Sequence, residues 1–290
     1  MGALVKTLRP RQWVKNVFVL AALVFARHML DVAYVWRAAA AFVAFCLVSG
    51  AVYTFNDVRD VEADRAHPTK KNRPIAAGLL SERAALTWAG ALTAVALAGA
   101  AAVTPWLALV VAVYAAQNVA YSVKLKHVAF VDVGLIAAGF LLRVLAGAVA
   151  IGVPASWWLL ACTALLALFF GLGKRAHELA WADKSGTATT TRAALAGYSL
   201  PVVRALMMVL GVATLAAYTA YTLDPRTVEF FGTPWLVLTS PFVAVGIVRF
   251  LMLALWQPTV APPTDAMMRD PAFLAILVAA SAAVLAIIYA

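Results

Sequence analysis

The chain has 290 residues, of which 64% are hydrophobic and only 12% are charged, and its mean hydropathy is +0.90. Soluble domains carry roughly 25% charged residues, so this composition excludes an ordinary soluble protein and indicates a polytopic membrane protein. The formal net charge is +10. In a membrane protein we attribute it to cytoplasmic loops, anionic lipids and anionic ligands, and not to nucleic-acid binding.

Long apolar runs recur along the chain, and most are close to the roughly 20 residues that a helix needs to cross the hydrocarbon layer. These runs predict an all-α fold of nine transmembrane helices that forms a single domain over residues 1–290. A basic amphipathic lead-in from Met1 to Asn16 comes first. The predicted helices then cover about 17–29, 36–55, 83–103, 105–121, 129–151, 156–173, 201–223, 234–256 and 271–290.

The basic residues predict the orientation of the chain. If nine helices cross the membrane, most of the 23 Lys and Arg residues lie on the same side as the N-terminus. Under the positive-inside rule that side is the cytoplasm. Charged segments follow the helices predicted at 36–55 and 156–173, and a short basic segment joins 105–121 to 129–151. This pattern favours helices packed around a cavity that opens to the cytoplasm.

The most informative stretch runs from Ser49 to Gly78. Within it, Asp57, Asp60 and Asp64 are spaced i, i+3, i+7, which on a helix of 3.6 residues per turn puts the three carboxylates on one face. Neighbouring like charges repel, and a divalent cation removes that cost. Carboxylate oxygens suit Mg²⁺, which commonly binds through one or two carboxylates plus substrate phosphates. The alternative is a solvated polar loop between two membrane helices.

Three bases follow the aspartates, namely Lys70, Lys71 and Arg73. Arg offers a bidentate fork and Lys a point charge, so these residues predict a clamp for phosphate groups. Anchoring of the loop under the positive-inside rule also accounts for them.

The pattern N-D-x-x-D-x-x-x-D, which begins at Asn56, resembles the first aspartate-rich motif of the UbiA-type intramembrane prenyltransferase superfamily. The longer run Tyr53–Gly78 is similar to the phosphoribosyltransferase branch of that superfamily, whose lipid substrate is decaprenyl phosphate. The resemblance covers about residues 9–178 and is weaker beyond them.

This resemblance implies an Mg²⁺-dependent enzyme that transfers 5-phosphoribose from 5-phosphoribosyl 1-diphosphate to a polyprenyl phosphate and releases diphosphate, for a precursor of cell-wall arabinan. It implies a multi-pass protein of the plasma membrane with a cytoplasmic active site. Asp57 and Asp60 would be catalytic with Asp64 as a further metal ligand, and Asn56 would orient the diphosphate. The resemblance alone suggests a homo-oligomer, specifically a trimer.

Two further segments carry candidate substrate-binding residues. Tyr121, Lys124 and Lys126 end the predicted helix 105–121 and resemble a Tyr-x-x-x-Leu-Lys segment that lies beside the diphosphate in the superfamily. A base at a helix C-terminus is also favourable because of the helix dipole. Near the start, the run from Arg11 to Asn16 resembles the Arg-Pro-x-Gln-Trp-x-Lys-Asn opening of the branch. Its last two residues, Lys15 and Asn16, either reach the cavity mouth or anchor the helix at the membrane interface.

Residues 173–178 occupy the place of the second aspartate motif of the superfamily, and they depart from it. Prenyl-diphosphate enzymes carry D-x-x-x-D there, whereas this chain has Lys174, Arg175 and Glu178. Fewer carboxylates and more bases suit a phosphate better than a second metal ion. This departure favours the phosphoribosyltransferase branch, whose lipid substrate is a monophosphate.

Arg143 lies inside an otherwise apolar predicted helix. A charged side chain at such depth is expensive, and by default it faces a cavity or a partner. Asp132, near the start of the same helix, is one candidate partner and a substrate phosphate is another.

Two alternative functions remain open. An aromatic prenyltransferase that uses a prenyl diphosphate shares the first motif but normally needs the second. A cation-coupled transporter would more often place acids at mid-membrane and contain repeated broken helices, whereas these acids lie at a helix mouth.

Overall fold

The structure is a computed structural model that describes residues 2–67, 69–185, 195, 197–256 and 263–290, with side chains left undescribed at 181–185. Every regular element in these residues is helical, and eight candidate spans are long and apolar enough to cross a membrane. We label them α1 to α8 in chain order: Val32–Arg59, Glu82–Val103, Pro105–Val123, Val131–Ile151, Trp157–Ser185, Leu200–Leu223, Trp235–Trp256 and Pro271–Tyr289. The part of α5 that qualifies as a span ends at Ala180.

Shorter helices connect these spans. The short α-helices are Gly2–Thr7, Ala21–Phe25, Val61–Ala66, Pro225–Phe231 and Pro263–Met267, and the short 3₁₀-helices are Pro10–Leu20, Lys70–Asn72 and Leu125–His127. The span α7 is composite: a 3₁₀ turn Trp235–Thr239 leads into the α-helix Ser240–Leu251, which ends in the π-helical turn Met252–Trp256.

Local sequence signals mark where several of these helices begin. The side chains of Asp31 and Asp270 accept hydrogen bonds from main-chain amides in the first turns of α1 and α8. Ser81 does the same for α2. Such caps satisfy amide groups that have no partner within the helix. The eight helices predicted between residues 36 and 290 correspond to the eight spans. The observed α1 extends further, to Arg59, and α5 extends to Ser185.

The predicted count of nine spans is not confirmed within the described residues, because the segment predicted as the first helix has a different structure. It consists of the 3₁₀-helix Pro10–Leu20 and one short α-helix, Ala21–Phe25. Tertiary contacts explain the difference, since the buried side chain of Asn16 binds polar partners and the main chain of Val19 packs closely against Gly147. An apolar run predicts neither kind of contact.

The chain divides into two compact units. The first contains residues 1–126 and 139–155, and the second contains 127–138 and 156–290, so α4 contributes residues to both. The core of the first unit includes Phe45, Leu107 and Val111. The core of the second includes Phe169, Met207 and Phe250. A single domain over 1–290 stays a prediction.

Candidate active site

The three aspartates of the first motif lie where α1 ends. The regular helix stops at Arg59, and Asp60, with φ −101° and ψ 10°, precedes the short helix Val61–Ala66. Main-chain hydrogen bonds cross this break, since the amide of Asp60 donates to Asn56 and the amide of Asp64 donates to Asp60. The aspartates therefore lie on successive turns, but the helix that carries them is interrupted at the middle one.

Arg73 brings two of the carboxylates together. Its Nη1 atom lies 3.0 Å from Oδ1 of Asp57 and 2.6 Å from Oδ2 of Asp64. Both aspartates are buried, at 2% and 3% exposure, whereas the Arg73 side chain is 25% exposed. Arg73 follows the 3₁₀ turn Lys70–Asn72, which packs against Val61–Ala66. One cationic nitrogen thus bridges two buried carboxylates.

A second arginine reaches the same site from near the start of the chain. Nη2 of Arg9 donates a hydrogen bond to Oδ1 of Asp57, the oxygen that also accepts from Arg73. The guanidinium carbon of Arg9 lies 5.1 Å from the centre of the Tyr53 ring. Sequence reasoning missed Arg9 as a site residue. A signal for it was present, since the Arg-Pro pair of the branch's opening pattern stands at Arg9 and Pro10.

The middle aspartate of the motif, Asp60, has its own partners. Nδ2 of Asn56 donates to Oδ2 of Asp60 over 3.0 Å, and Nζ of Lys126 pairs with Oδ1. Asn56 therefore orients a carboxylate in this structure. Together the three carboxylates and three bases balance in formal charge, and we call them the acid–base cluster: Asp57, Asp60, Asp64, Arg9, Arg73 and Lys126.

Other predicted substrate-binding bases lie outside this cluster. Lys70, Lys71 and Lys124 are exposed, and none of them forms an ion pair with another described residue. Tyr121 is half-buried near the end of α3, and Lys15 is half-buried in the N-terminal 3₁₀-helix. Of the predicted bases, Arg73 and Lys126 form ion pairs with the aspartates.

The carboxylate oxygens of the acid–base cluster are suitable ligands for one Mg²⁺ ion that also binds a substrate phosphate. Within the described part of the chain, no three His, Cys, Asp or Glu side chains are grouped so as to hold a metal by themselves. Asp57 and Asp64 nevertheless flank a single cationic nitrogen of Arg73 with one oxygen each. Two carboxylates completed by phosphate oxygens and water are a usual environment for Mg²⁺.

Arg143 and Asn16 belong to a buried polar cluster in the first unit. Nε of Arg143 donates to Oδ1 of Asn16, Nη1 donates to the carbonyl of Gly139, and Nη2 donates to the hydroxyl of Tyr114, each over 2.8 Å. Asn16 is 1% exposed and Arg143 is 5% exposed. The structure thus surrounds Arg143 with neutral groups, and the partner suggested by sequence, Asp132, pairs elsewhere.

The segment in place of the second aspartate motif forms a separate set of contacts in the second unit. Nε of Arg175 lies 2.6 Å from Oδ2 of Asp132, and Nη1 of Arg175 pairs with Glu178. Tyr198 donates to Oδ1 of Asp132 and accepts from the amide of Phe130. We call Asp132, Arg175, Glu178 and Tyr198 the buried ion-pair cluster.

The central ion pair of this second cluster is buried. The side chains of Asp132 and Arg175 are 1% and 8% exposed, whereas Lys174 is 40% exposed and lies 3.9 Å from Glu178. Burial raises the pKa of Tyr198, and its hydrogen bond to Asp132 raises that pKa further. Arg175 lies between two carboxylates, and its binding of a phosphate stays a prediction. Sequence reasoning missed both Asp132 and Tyr198 as its neighbours.

These features define an all-helical integral membrane protein with a cluster of carboxylates and bases at the end of a spanning helix. Comparison with known families is consistent with that class: the UbiA prenyltransferase family matches residues 16–257. The chain belongs to this family.

Relatives and solved structures agree with the assignment. The chain is 38% identical over 262 residues to decaprenyl-phosphate phosphoribosyltransferase of Mycolicibacterium smegmatis, covering 86% of this chain and 81% of that protein. It is 37% identical to the protein of the same name from Corynebacterium glutamicum, covering 85% and 75%. The structure of a UbiA homolog from Archaeoglobus fulgidus bound to GPP and Mg²⁺ superimposes with a TM-score of 0.74, covering 99% and 100%, at 20% identity, which shows a shared fold.

Proposed function

We propose that this protein transfers 5-phosphoribose from 5-phosphoribosyl 1-diphosphate to a polyprenyl phosphate, with decaprenyl phosphate as the expected acceptor. The observation that carries the proposal is the acid–base cluster in a chain that is 38% identical to a decaprenyl-phosphate phosphoribosyltransferase. The product is a lipid-linked sugar phosphate of the kind that cell-wall arabinan synthesis consumes.

In this reaction, an oxygen of the acceptor phosphate forms a bond to C1 of the ribose while the bond from C1 to the diphosphate oxygen breaks. The acceptor phosphate is already anionic at neutral pH, so no strong general base is required. The electron pair of the broken bond leaves with diphosphate. Asp57 and Asp64, with Asp60 beside them, would hold Mg²⁺, which neutralises charge on the leaving diphosphate.

The bases of the cluster are placed to bind phosphate oxygens. Arg73 and Arg9 converge on Asp57, and both remain about one-quarter exposed. An incoming diphosphate with its metal ion would compete with the carboxylates for these guanidinium groups, which bind phosphate bidentately. Asn56 would keep Asp60 oriented during that exchange.

The remaining predicted residues complete the proposal. Lys70, Lys71, Lys124 and Tyr121 would line the approach for the donor 5-phosphate or the lipid phosphate, and Lys15 would act from the 3₁₀-helix Pro10–Leu20. In the second unit, Lys174 is the more exposed of the two bases of its segment. We assign Arg175 and Glu178 to supporting it through the buried ion-pair cluster.

We further propose a plasma-membrane location with the N-terminus and the site facing the cytoplasm, a cavity that opens there, and a homo-oligomeric assembly. The positive-inside distribution of bases supports the orientation. A cysteine in place of the exposed Thr69, in a variant without Cys46 and Cys162, would test it. We expect labelling by a membrane-impermeant thiol reagent in inverted vesicles and none in intact cells, and the reverse pattern would contradict the orientation.

The direct test of function uses the purified protein in detergent with radiolabelled 5-phosphoribosyl 1-diphosphate, with and without decaprenyl phosphate and Mg²⁺. We expect label in the lipid fraction only when the protein, decaprenyl phosphate and Mg²⁺ are all present with the labelled donor. A parallel reaction with a prenyl diphosphate and an aromatic acceptor tests the alternative enzyme. If the protein forms product in that reaction and transfers no phosphoribose, the proposed function is wrong and the protein is an aromatic prenyltransferase.

A further inference from the structure

The N-terminal segment, which we define as Leu8–Leu20, presents Arg9 to the acid–base cluster in an unusual conformation. Arg9 has φ 49° and ψ 62°, in the left-handed region that residues other than glycine rarely occupy. Such a conformation persists only where surrounding contacts over-determine it. The contact of Arg9 with Asp57 therefore depends on what holds the rest of the segment.

Two glycines allow the N-terminal segment to lie directly against spanning helices. A Cβ atom added at Gly50 on α1 would lie 2.7 Å from Cδ2 of Leu8 and 3.3 Å from its Cα. A Cβ atom added at Gly147 on α4 would lie 1.8 Å from the carbonyl oxygen of Val19. The second contact involves main chain, so no side-chain rotation relieves it. The segment is thus fixed near both of its ends.

Arg143 fixes the middle of the segment through Asn16. Besides its hydrogen bonds to Asn16, Gly139 and Tyr114, the guanidinium carbon of Arg143 lies 4.8 Å from the Tyr114 ring centre and 5.4 Å from that of Phe140. No carboxylate lies within ion-pair distance of Arg143 in the described ranges. Its fork of donors is therefore used to fix neutral groups, and one of them belongs to the N-terminal segment.

We propose that Arg143 is a positioning residue that acts through Asn16 and the N-terminal segment to keep Arg9 on Asp57, and that Arg9 is a further binding residue for the diphosphate group. The proposal rests on the proposed function insofar as diphosphate is the ligand. The shared oxygen supports it, because Oδ1 of Asp57 accepts from both Arg9 and Arg73. A diphosphate that displaces one guanidinium therefore meets the other.

The position of the segment is tested without any activity measurement. Arg11 is exposed within the segment, so trypsin cleavage after Arg11, followed by mass spectrometry, reports release of the segment. We expect Gly147→Ala to accelerate this cleavage at least about tenfold. Gly134→Ala, in the same helix and with nothing within 4 Å of its added Cβ, is the matched control and should cleave like wild type. Equal rates for both variants would overturn the proposal.

Arg143 is tested in the same assay. Arg143→Gln should accelerate cleavage after Arg11. Arg143→Lys should fail to restore protection, because Asn16, Gly139 and Tyr114 each bind a different nitrogen of the planar guanidinium, whereas an ammonium has a single nitrogen. Full protection by the Lys variant would mean that only the charge matters and would contradict positioning. If Arg143→Gln does not fold, Tyr114→Phe removes one of the three hydrogen bonds and should give a smaller acceleration, with no acceleration counting against the proposal.

The link to Arg9 is tested by calorimetric titration with inorganic diphosphate and Mg²⁺. We expect Arg9→Gln and Arg143→Gln each to weaken binding about tenfold, and the double variant to be no weaker than the Arg9 variant, because both changes remove the same contact. Additive losses of about a hundredfold, normal binding by Arg143→Gln, or no binding by wild type would overturn the proposal. Binding without phosphoribosyl transfer would instead refute the proposed function alone.

Discussion

The acid–base cluster and the buried ion-pair cluster both pair arginine with carboxylates, but they do so in different settings. In the first, bases from distant parts of the chain meet the carboxylates, and Arg9, Arg73 and Lys126 keep 19 to 26% of their side-chain surface exposed. In the second, Arg175 and Asp132 are almost fully buried. Solvent-accessible pairs can exchange partners, whereas a buried pair separates only at a large cost. We infer that the first cluster serves ligand binding and the second serves stability.

The largest effect that would sharpen this contrast is expected from Asp57→Asn. Loss of a metal ligand removes several kcal/mol of charge stabilisation, and about 4 kcal/mol corresponds to roughly a thousandfold in rate. We expect phosphoribosyl transfer to fall by about that factor while the protein still unfolds cooperatively. Initial rates and thermal unfolding measure the two quantities. Glu62→Gln changes an exposed acid of the same stretch and should retain full activity.

The second effect concerns stability. Arg175→Met leaves Asp132 buried without its ion-pair partner, so the free energy of unfolding should fall by about 3–5 kcal/mol. Lys174→Met is the matched control, because its partly exposed pair with Glu178 should contribute less than about 1 kcal/mol. Unfolding in detergent compares them. A stable Arg175→Met protein with a raised KM for the donor would restore the phosphate-clamp prediction and break the contrast.

An intermediate effect is expected from Arg73→Gln. Removing a charge-assisted hydrogen bond costs about 1.5–3 kcal/mol, or roughly a ten- to hundredfold rise in KM for 5-phosphoribosyl 1-diphosphate. Arg73→Lys should recover only part of this loss, since an ammonium lacks the planar fork. Steady-state kinetics with varied donor concentration measure both variants. An unchanged KM would show that Arg73 only holds Asp57 and Asp64 together.

The smallest effect is expected from Lys71→Ala. Lys71 is exposed and has no ion pair in the described structure, so water screens its attraction to the substrate. We expect the KM for the donor to rise by less than about threefold, with that small rise vanishing at high salt. A tenfold rise would place Lys71 at a phosphate and extend the ligand site beyond the acid–base cluster.

Much of this architecture could be predicted from sequence because membrane spans are set by length and apolarity. The helices from α1 to α8 follow apolar runs. The spacing of the aspartates identified the motif, and the structure shows Arg73 paired with two of them. The structure of Pro10–Leu20 could not be predicted, since the contact between Val19 and Gly147 is a tertiary packing event. The same holds for Arg175, whose partner Asp132 lies 43 positions earlier, at the start of a different helix.

The hydrogen bond between Asn16 and Arg143 also has a consequence for biosynthesis. These residues are 127 positions apart, and at synthesis rates of about 5–20 residues per second a ribosome needs roughly 6–25 seconds to travel between them. During that interval the start of the chain has left the ribosome, but the helix that will hold it has not been made. On the proposed role of Arg143, the placement of Arg9 in the acid–base cluster is therefore a late event in membrane insertion, which waits until about half of the protein has been translated.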